Sequence, residues 1–162
     1  MTQEFLQDAL AADLRQLFAG ETLKSSTCAE RHIQVYAQDL PVRAGADIEE
    51  DREPPEDVPE PYVIIRLPGG ELPAQDARQR VEAVLVICVY DPDPGRQGFR
   101  DALHIVNKIL THYAADGIVA RRYEAQYPIK WAAQEEDTHP YYFAAMALTF
   151  DAPAIFKEVP ET

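Results

Sequence analysis

A chain of 162 residues, 46% of them hydrophobic, suits one domain that can bury a core without disulfides or metals, and it is too apolar to be disordered. Its 28 acidic side chains against 15 basic ones give a net charge of -13. That balance excludes a protein that wraps duplex DNA or lies on an anionic membrane surface, because both need clustered Lys and Arg.

The N-terminal stretch MTQEFLQDALAADLRQLF carries acids and no apolar h-region, so it is not a signal peptide, and no apolar run approaches the ~20 residues of a membrane span. Instead Phe5, Leu6, Ala9, Leu10, Leu14, Leu17 and Phe18 recur at helical spacing, which predicts a helix over 2–19. Thr2 is placed to cap it, Glu4 and Asp8 suit its positive end, and Gly20 stops it. IQVYAQ, from Ile33 to Gln38, alternates apolar and polar side chains as a strand does.

Residues 44–61, AGADIEEDREPPEDVPEP, hold eight acids against the single Arg52, with prolines at 54, 55, 59 and 61. Such a segment can neither build a core nor pair as a central strand, so it reads either as a solvated linker or as a loop facing a channel or partner. In the second reading Glu49, Glu50, Asp51 and Glu53 are the candidate channel-facing acids.

Tyr62–Leu67 is a strand, and Pro68-Gly69-Gly70 a turn signal that ends it. The strongest strand is Val81–Tyr90, VEAVLVICVY. Val81, Ala83, Leu85, Ile87 and Val89 share one face; Glu82, Val84, Val86, Cys88 and Tyr90 share the other. Both faces are largely apolar, so both are expected to be covered. Two helices cover one face of a small sheet; the other is left for a second subunit, which makes Val84, Val86 and Tyr90 candidate interface residues.

Asp91-Pro92-Asp93-Pro94-Gly95 is a dense turn. A helix follows from Gln97 to about Ala115, with Phe99, Leu103, Val106, Leu110 and Tyr113 as its stripe, widened by Ile105 and Ile109, and Asp116-Gly117 closes it. A strand within Arg121–Ala133 directs Tyr127, Ile129 and Trp131 one way. A polar link leads to the last strand, Tyr141–Asp151, and the pair reads as a hairpin. Arg121-Arg122 reads as a solvated edge or an intersubunit contact in preference to a DNA site. The tail Pro153–Thr162 carries an Ala-Ile-Phe patch able to dock on a neighbour. The elements make one α+β domain over 1–162, with a core over 62–155: a mostly antiparallel, mixed sheet of about five strands with two main helices on one face.

No metal or catalytic pattern stands out. His32, His104, His112 and His139 form no H-E-x-x-H; the acidic loop lacks the alternation of a calcium loop; no phosphate-cradling loop or nucleophile elbow occurs. Cys28 and Cys88 have no metal spacing, their number suits a reducing cytoplasm, and Cys88 lies in an apolar strand where a thiolate is disfavoured. The expectation is a protein that is no enzyme and has no cofactor.

Three segments, PYVIIRLPGGE, VEAVLVICVYDPDPGRQGFRDALHIVNKIL and YPIKWAAQEEDTHPYYFAAMALTFDAPAI, resemble in their order and spacing the tail completion, or tail terminator, proteins of phages and prophages. The resemblance spans roughly Pro61–Ile155. It implies a structural virion tail component made and assembled in the bacterial cytoplasm. Its subunits would form a hexameric ring that caps the tail tube protein and meets the head–tail connector protein, with DNA only as passing cargo and no membrane. A head–tail connector (neck) protein and a small non-phage adaptor module are the competing readings.

Overall fold

The computed structural model describes residues 2–27, 29–41 and 58–154. Helix α1 (Thr2–Leu17) buries Leu6, Leu10, Ala11 and Leu14, three and four residues apart, and Phe18 is buried just past its end. Phe5, expected on that stripe, is 57% exposed, because the buried line runs through Leu6, Leu10 and Leu14. The Arg15 guanidinium donates to the Val35 carbonyl at 3.0 Å and pins α1 across the first strand of the main sheet.

A small antiparallel pair, β1 (Thr22–Lys24) and β2 (Glu30–His32), stands apart from that sheet. The main sheet contains β3 (Gln34–Ala37), β4 (Tyr62–Glu71), β5 (Gln79–Tyr90), β6 (Ile118–Val119), β7 (Tyr123–Ala133) and β8 (Tyr141–Ala152). Their order is β3-β4-β5-β8-β7-β6, parallel between β3 and β4 and antiparallel elsewhere. The α+β class and the mixed sheet are as expected. The sheet has six strands rather than about five, because the two residues of β6 are too few to show a period.

β5 is the spine. It pairs with β8 along its whole length, from Gln79 opposite Ala152 to Tyr90 opposite Tyr141. Val81, Ala83, Leu85, Ile87 and Val89 are buried in one cluster with the apolar residues of α1 and of α2 (Gln97–Ala115). Both helices therefore cover the same face.

Helix α2 buries Gly98, Ala102, Ile105, Val106, Ile109 and Tyr113, so its stripe is centred on the isoleucines. Phe99 is 48% exposed, and Leu103 and Leu110 are half-buried, in contrast to the expected stripe. The cause is Gly98: without a Cβ it lies directly against the Tyr142 ring, and that contact turns Phe99 outward.

Pro68-Gly69-Gly70 does not end its strand. β4 continues to Glu71 through a bulge, where Arg66 pairs with Val84 and Gly69 with Glu82, one residue too many on β4. Gly70 is required there, since a Cβ would strike the Arg80 carbonyl. A second register shift, between Gln126 and Lys130 of β7, leaves Tyr127 74% exposed. The DPDPG turn is held by its own aspartates: Asp91 Oδ1 accepts from the Asp93 amide and Asp93 Oδ1 from the Gly95 amide, both at 2.9 Å. No described helix is long and apolar enough to cross a membrane.

Candidate assembly interface

Strand pleating sends alternate side chains to opposite faces, so every residue of β5 that faces the helices has neighbours that face away. The away-facing set contains Tyr62 and Ile64 of β4, Val84, Val86, Cys88 and Tyr90 of β5, and Tyr141, Phe143, Ala145 and Ala147 of β8, in paired register. No described helix packs on this face. Tyr62, Ile64 and Cys88 form a second, smaller apolar cluster with Tyr36, Leu40, Val86, Tyr141 and Phe143 around it. The expected interface residues Val84, Val86 and Tyr90 all lie here, each half-buried.

The face has three unlike zones. Toward the start of β8 it is aromatic, with Tyr90 and Tyr141 rings 5.3 Å apart and Tyr36 edge-on to Tyr62 at 6.2 Å. In the middle, Ala132 of β7 pairs with Ala145 of β8, and Val86 pairs with Ala145 from the other side, so small side chains leave a shallow apolar trough. Toward the end of β8 the face turns polar, lined by Glu71, Arg80, Glu82, Gln126, Thr149 and Asp151.

At the aromatic end a depression is lined by Ser26, Val58, Pro59, Glu60, Tyr62, Cys88, Tyr141 and Phe143. Glu60 is only 4% exposed, and one carboxylate oxygen accepts from the Ser26 amide at 3.0 Å. Burial pushes the Cys88 thiol up to about 12, and the nearby Glu60 charge adds to it. Burial also raises Tyr62 and Tyr141 above the usual phenol range, and Glu60 reinforces both shifts. Cys88 therefore stays a thiol at neutral pH and packs as a small apolar group.

No protein-family model matches this chain, and no curated protein is significantly similar to it.

Arg121 and Arg122 are exposed on the corner between β6 and β7, where Ala120 and Arg121 adopt positive φ of 53° and 58°. The corner is fixed by the Arg122 amide on the Val119 carbonyl at 3.1 Å and by the Ala125 amide on the Gly117 carbonyl at 2.7 Å. Ile118 beside it is 60% exposed. The corner lies at the polar end of the sheet, away from Val86 and Tyr90, so the expected interface residues fall into two separate places. Glu49, Glu50, Asp51 and Glu53 lie outside the described residues, as do Cys28 and the Ile155–Phe156 part of the tail.

The helix histidines have plain structural partners. His112 Nε2 lies 2.8 Å from Asp13 Oδ2, and His104 Nε2 lies 3.2 Å from Glu21 Oε1, both joining α2 to the α1 side. Among the described residues no group of three or more His, Cys, Asp or Glu is placed to hold a metal. The sequence reading missed Glu60, Tyr141 and Phe143 as parts of the outer face. Alternation in YYFAAMALTF marks Tyr141 and Phe143 as opposite to Tyr142 and Met146, whereas Glu60 is hidden inside a proline-rich acidic run.

Proposed function

We propose that this chain is a structural, non-catalytic subunit that works by docking onto copies of itself, in the manner implied by its resemblance to phage tail terminator proteins. The observation that carries the reading is the face of β5 and β8 that no described helix covers, where Val84, Val86, Tyr90, Phe143 and Ala145 stand half-buried. Covering half-exposed side chains of this size stabilises an interface by roughly 25 cal/mol per Å² removed from water. A subunit contact that uses different patches on its two sides closes into a ring when its rotation allows. The net charge of -13 suits a ring wall that repels phosphates and lets DNA pass.

Electron microscopy of the purified protein, alone and with tail tubes, tests the proposal. Closed rings, free or seated on tube ends, are the expected result. A particle that remains monomeric at all concentrations and ignores tube ends overturns it.

A further inference from the structure

We propose that the Glu60 depression is a socket for the Ile118–Arg122 corner of a second copy; this deepens the self-association reading above and rests on it. The socket combines a carboxylate and aromatic walls. Glu60 is 4% exposed, is oriented by the Ser26 amide, and has no Lys or Arg partner among the described residues. Among the described residues this carboxylate accepts one hydrogen bond, from a neutral amide, and a cation arriving from outside would give it a charged partner. Tyr62, Tyr141 and Phe143 line the same depression, and their ring faces suit a guanidinium, which stacks on aromatics while donating to a carboxylate.

The corner is the matching plug. Within the described ion pairs Arg66, Arg78, Arg80 and Arg96 are engaged, and Arg121 and Arg122 are not. They are consecutive, projected by a corner of positive φ, and adjoin the exposed Ile118. An apolar side chain next to two guanidinium groups complements aromatic walls around an acid. In a chain of 28 acids and 15 bases, such a pairing also offsets the repulsion between approaching copies.

Plug and socket stand at opposite ends of the sheet. Phe143 marks the socket end of β8, and Asp151, paired with Glu124 next to the corner, marks the other. Eight strand steps separate them, about 26 Å at ~3.3 Å per residue. A contact joining opposite ends of the molecule propagates or closes into a ring when each copy engages two neighbours, whereas two antiparallel copies that exchange plug and socket reciprocally make a two-fold dimer.

Sedimentation velocity on the full chain tests this, with Glu60→Gln, the double variant Arg121→Gln/Arg122→Gln, and Arg100→Gln, exposed on α2, as a control. The first two are expected to weaken self-association at least tenfold, and the control to leave it unchanged. Mixing the first two variants should give dimers and nothing larger, because only one intact plug and one intact socket remain per pair. The arginines are exposed, so their variant keeps the test valid even if Glu60→Gln unfolds. Wild-type association that survives loss of the arginines, or an equal effect of Arg100→Gln, overturns the socket while leaving self-association standing. A wild-type chain that stays monomeric removes the self-association reading, and the socket with it.

Discussion

Arg96 grips Asp137 with two nitrogens: Nη1 lies 3.0 Å from one carboxylate oxygen and Nη2 2.9 Å from the other. The residue that precedes α2 is thereby tied to the turn between β7 and β8, 41 positions later in the chain. The His139 amide donates to the same carboxylate at 3.1 Å.

These donors, Arg96 foremost, hold Asp137 down to about 2. A carboxylate lowered on folding contributes stability above its ordinary range and loses it as pH falls through the depressed value. The Asp137 carboxyl carbon should therefore titrate near pH 2 by NMR, and Arg96→Gln should return it toward the ordinary range. The pair is open to solvent, so the melting temperature of Arg96→Gln should move little. A normal titration in the wild type would show that the two side chains do not hold each other in solution.

Glu21 makes a comparable clasp on the helix side. Its carboxylate lies 2.8 Å from Lys108 Nζ and 3.2 Å from His104 Nε2, and Lys108 also lies 5.5 Å from the centre of the Phe18 ring. Partial burial works against the charged form, but the Lys108 and His104 contacts prevail and lower its pKa. The clasp should stabilise the fold above the ordinary glutamate range and fade as pH drops below it. Glu21→Gln is expected to cost about 0.5–1 kcal/mol in urea unfolding at pH 7, and much less at pH 3. Equal losses at both pH values would assign the effect to packing.

Gly98 decides how α2 sits. Ala is preferred over Gly within a helix by about 1 kcal/mol, so propensity alone predicts that Gly98→Ala stabilises. The structure predicts the reverse, because the new methyl would strike the Tyr142 ring and lie 2.9 Å from Asp91 Cβ. The ring cannot step aside freely, since its hydroxyl is 2.7 Å from His139 Nδ1. Gly98→Ala should lose about 1–3 kcal/mol in urea unfolding, and adding Tyr142→Ala should recover part of the clash.

The same glycine explains where sequence periodicity falls short. Apolar spacing locates α2 correctly, but Phe99 looks as buried as Ile105 until the Gly98–Tyr142 contact sets the rotation. The central strand is fully legible because alternation in VEAVLVICVY is a local property. The bulge in β4 is not, because Pro-Gly-Gly signals a turn equally well, and only pairing with Val84 and Glu82 distinguishes the two. Glu60 is the sharpest case. Its neighbours in sequence are acids and prolines, while its neighbours in space are Tyr62, Cys88 and Tyr141.

Cys88 offers a probe of the outer face. A pKa raised from 9.0 to about 12 leaves roughly a thousandfold less thiolate at neutral pH. In a Cys28→Ser background, the native protein should react with a thiol reagent at least a hundredfold more slowly than the urea-unfolded chain. Reaction at the unfolded rate would mean that the Tyr62 end of the sheet opens readily.

The two faces of β5 can be separated by a pair of substitutions. Ile87 is fully buried beneath the helices, and Val86, one residue earlier, is half-buried on the outer face. Ile87→Ala removes atoms from a packed core and should cost about 2–5 kcal/mol in urea unfolding. Val86→Asp places a charge where the isolated subunit still reaches water, so its unfolding midpoint should fall far less. In a face that closes against a second copy, the same aspartate is buried without a partner and repelled by an acidic neighbour. Val86→Asp should therefore leave a folded monomer that no longer associates, while Ile87→Ala, wherever it remains folded, still does. Sedimentation velocity beside circular dichroism distinguishes the two. If Val86→Asp associates as the wild type does, the outer face of β5 is not the surface that joins the subunits.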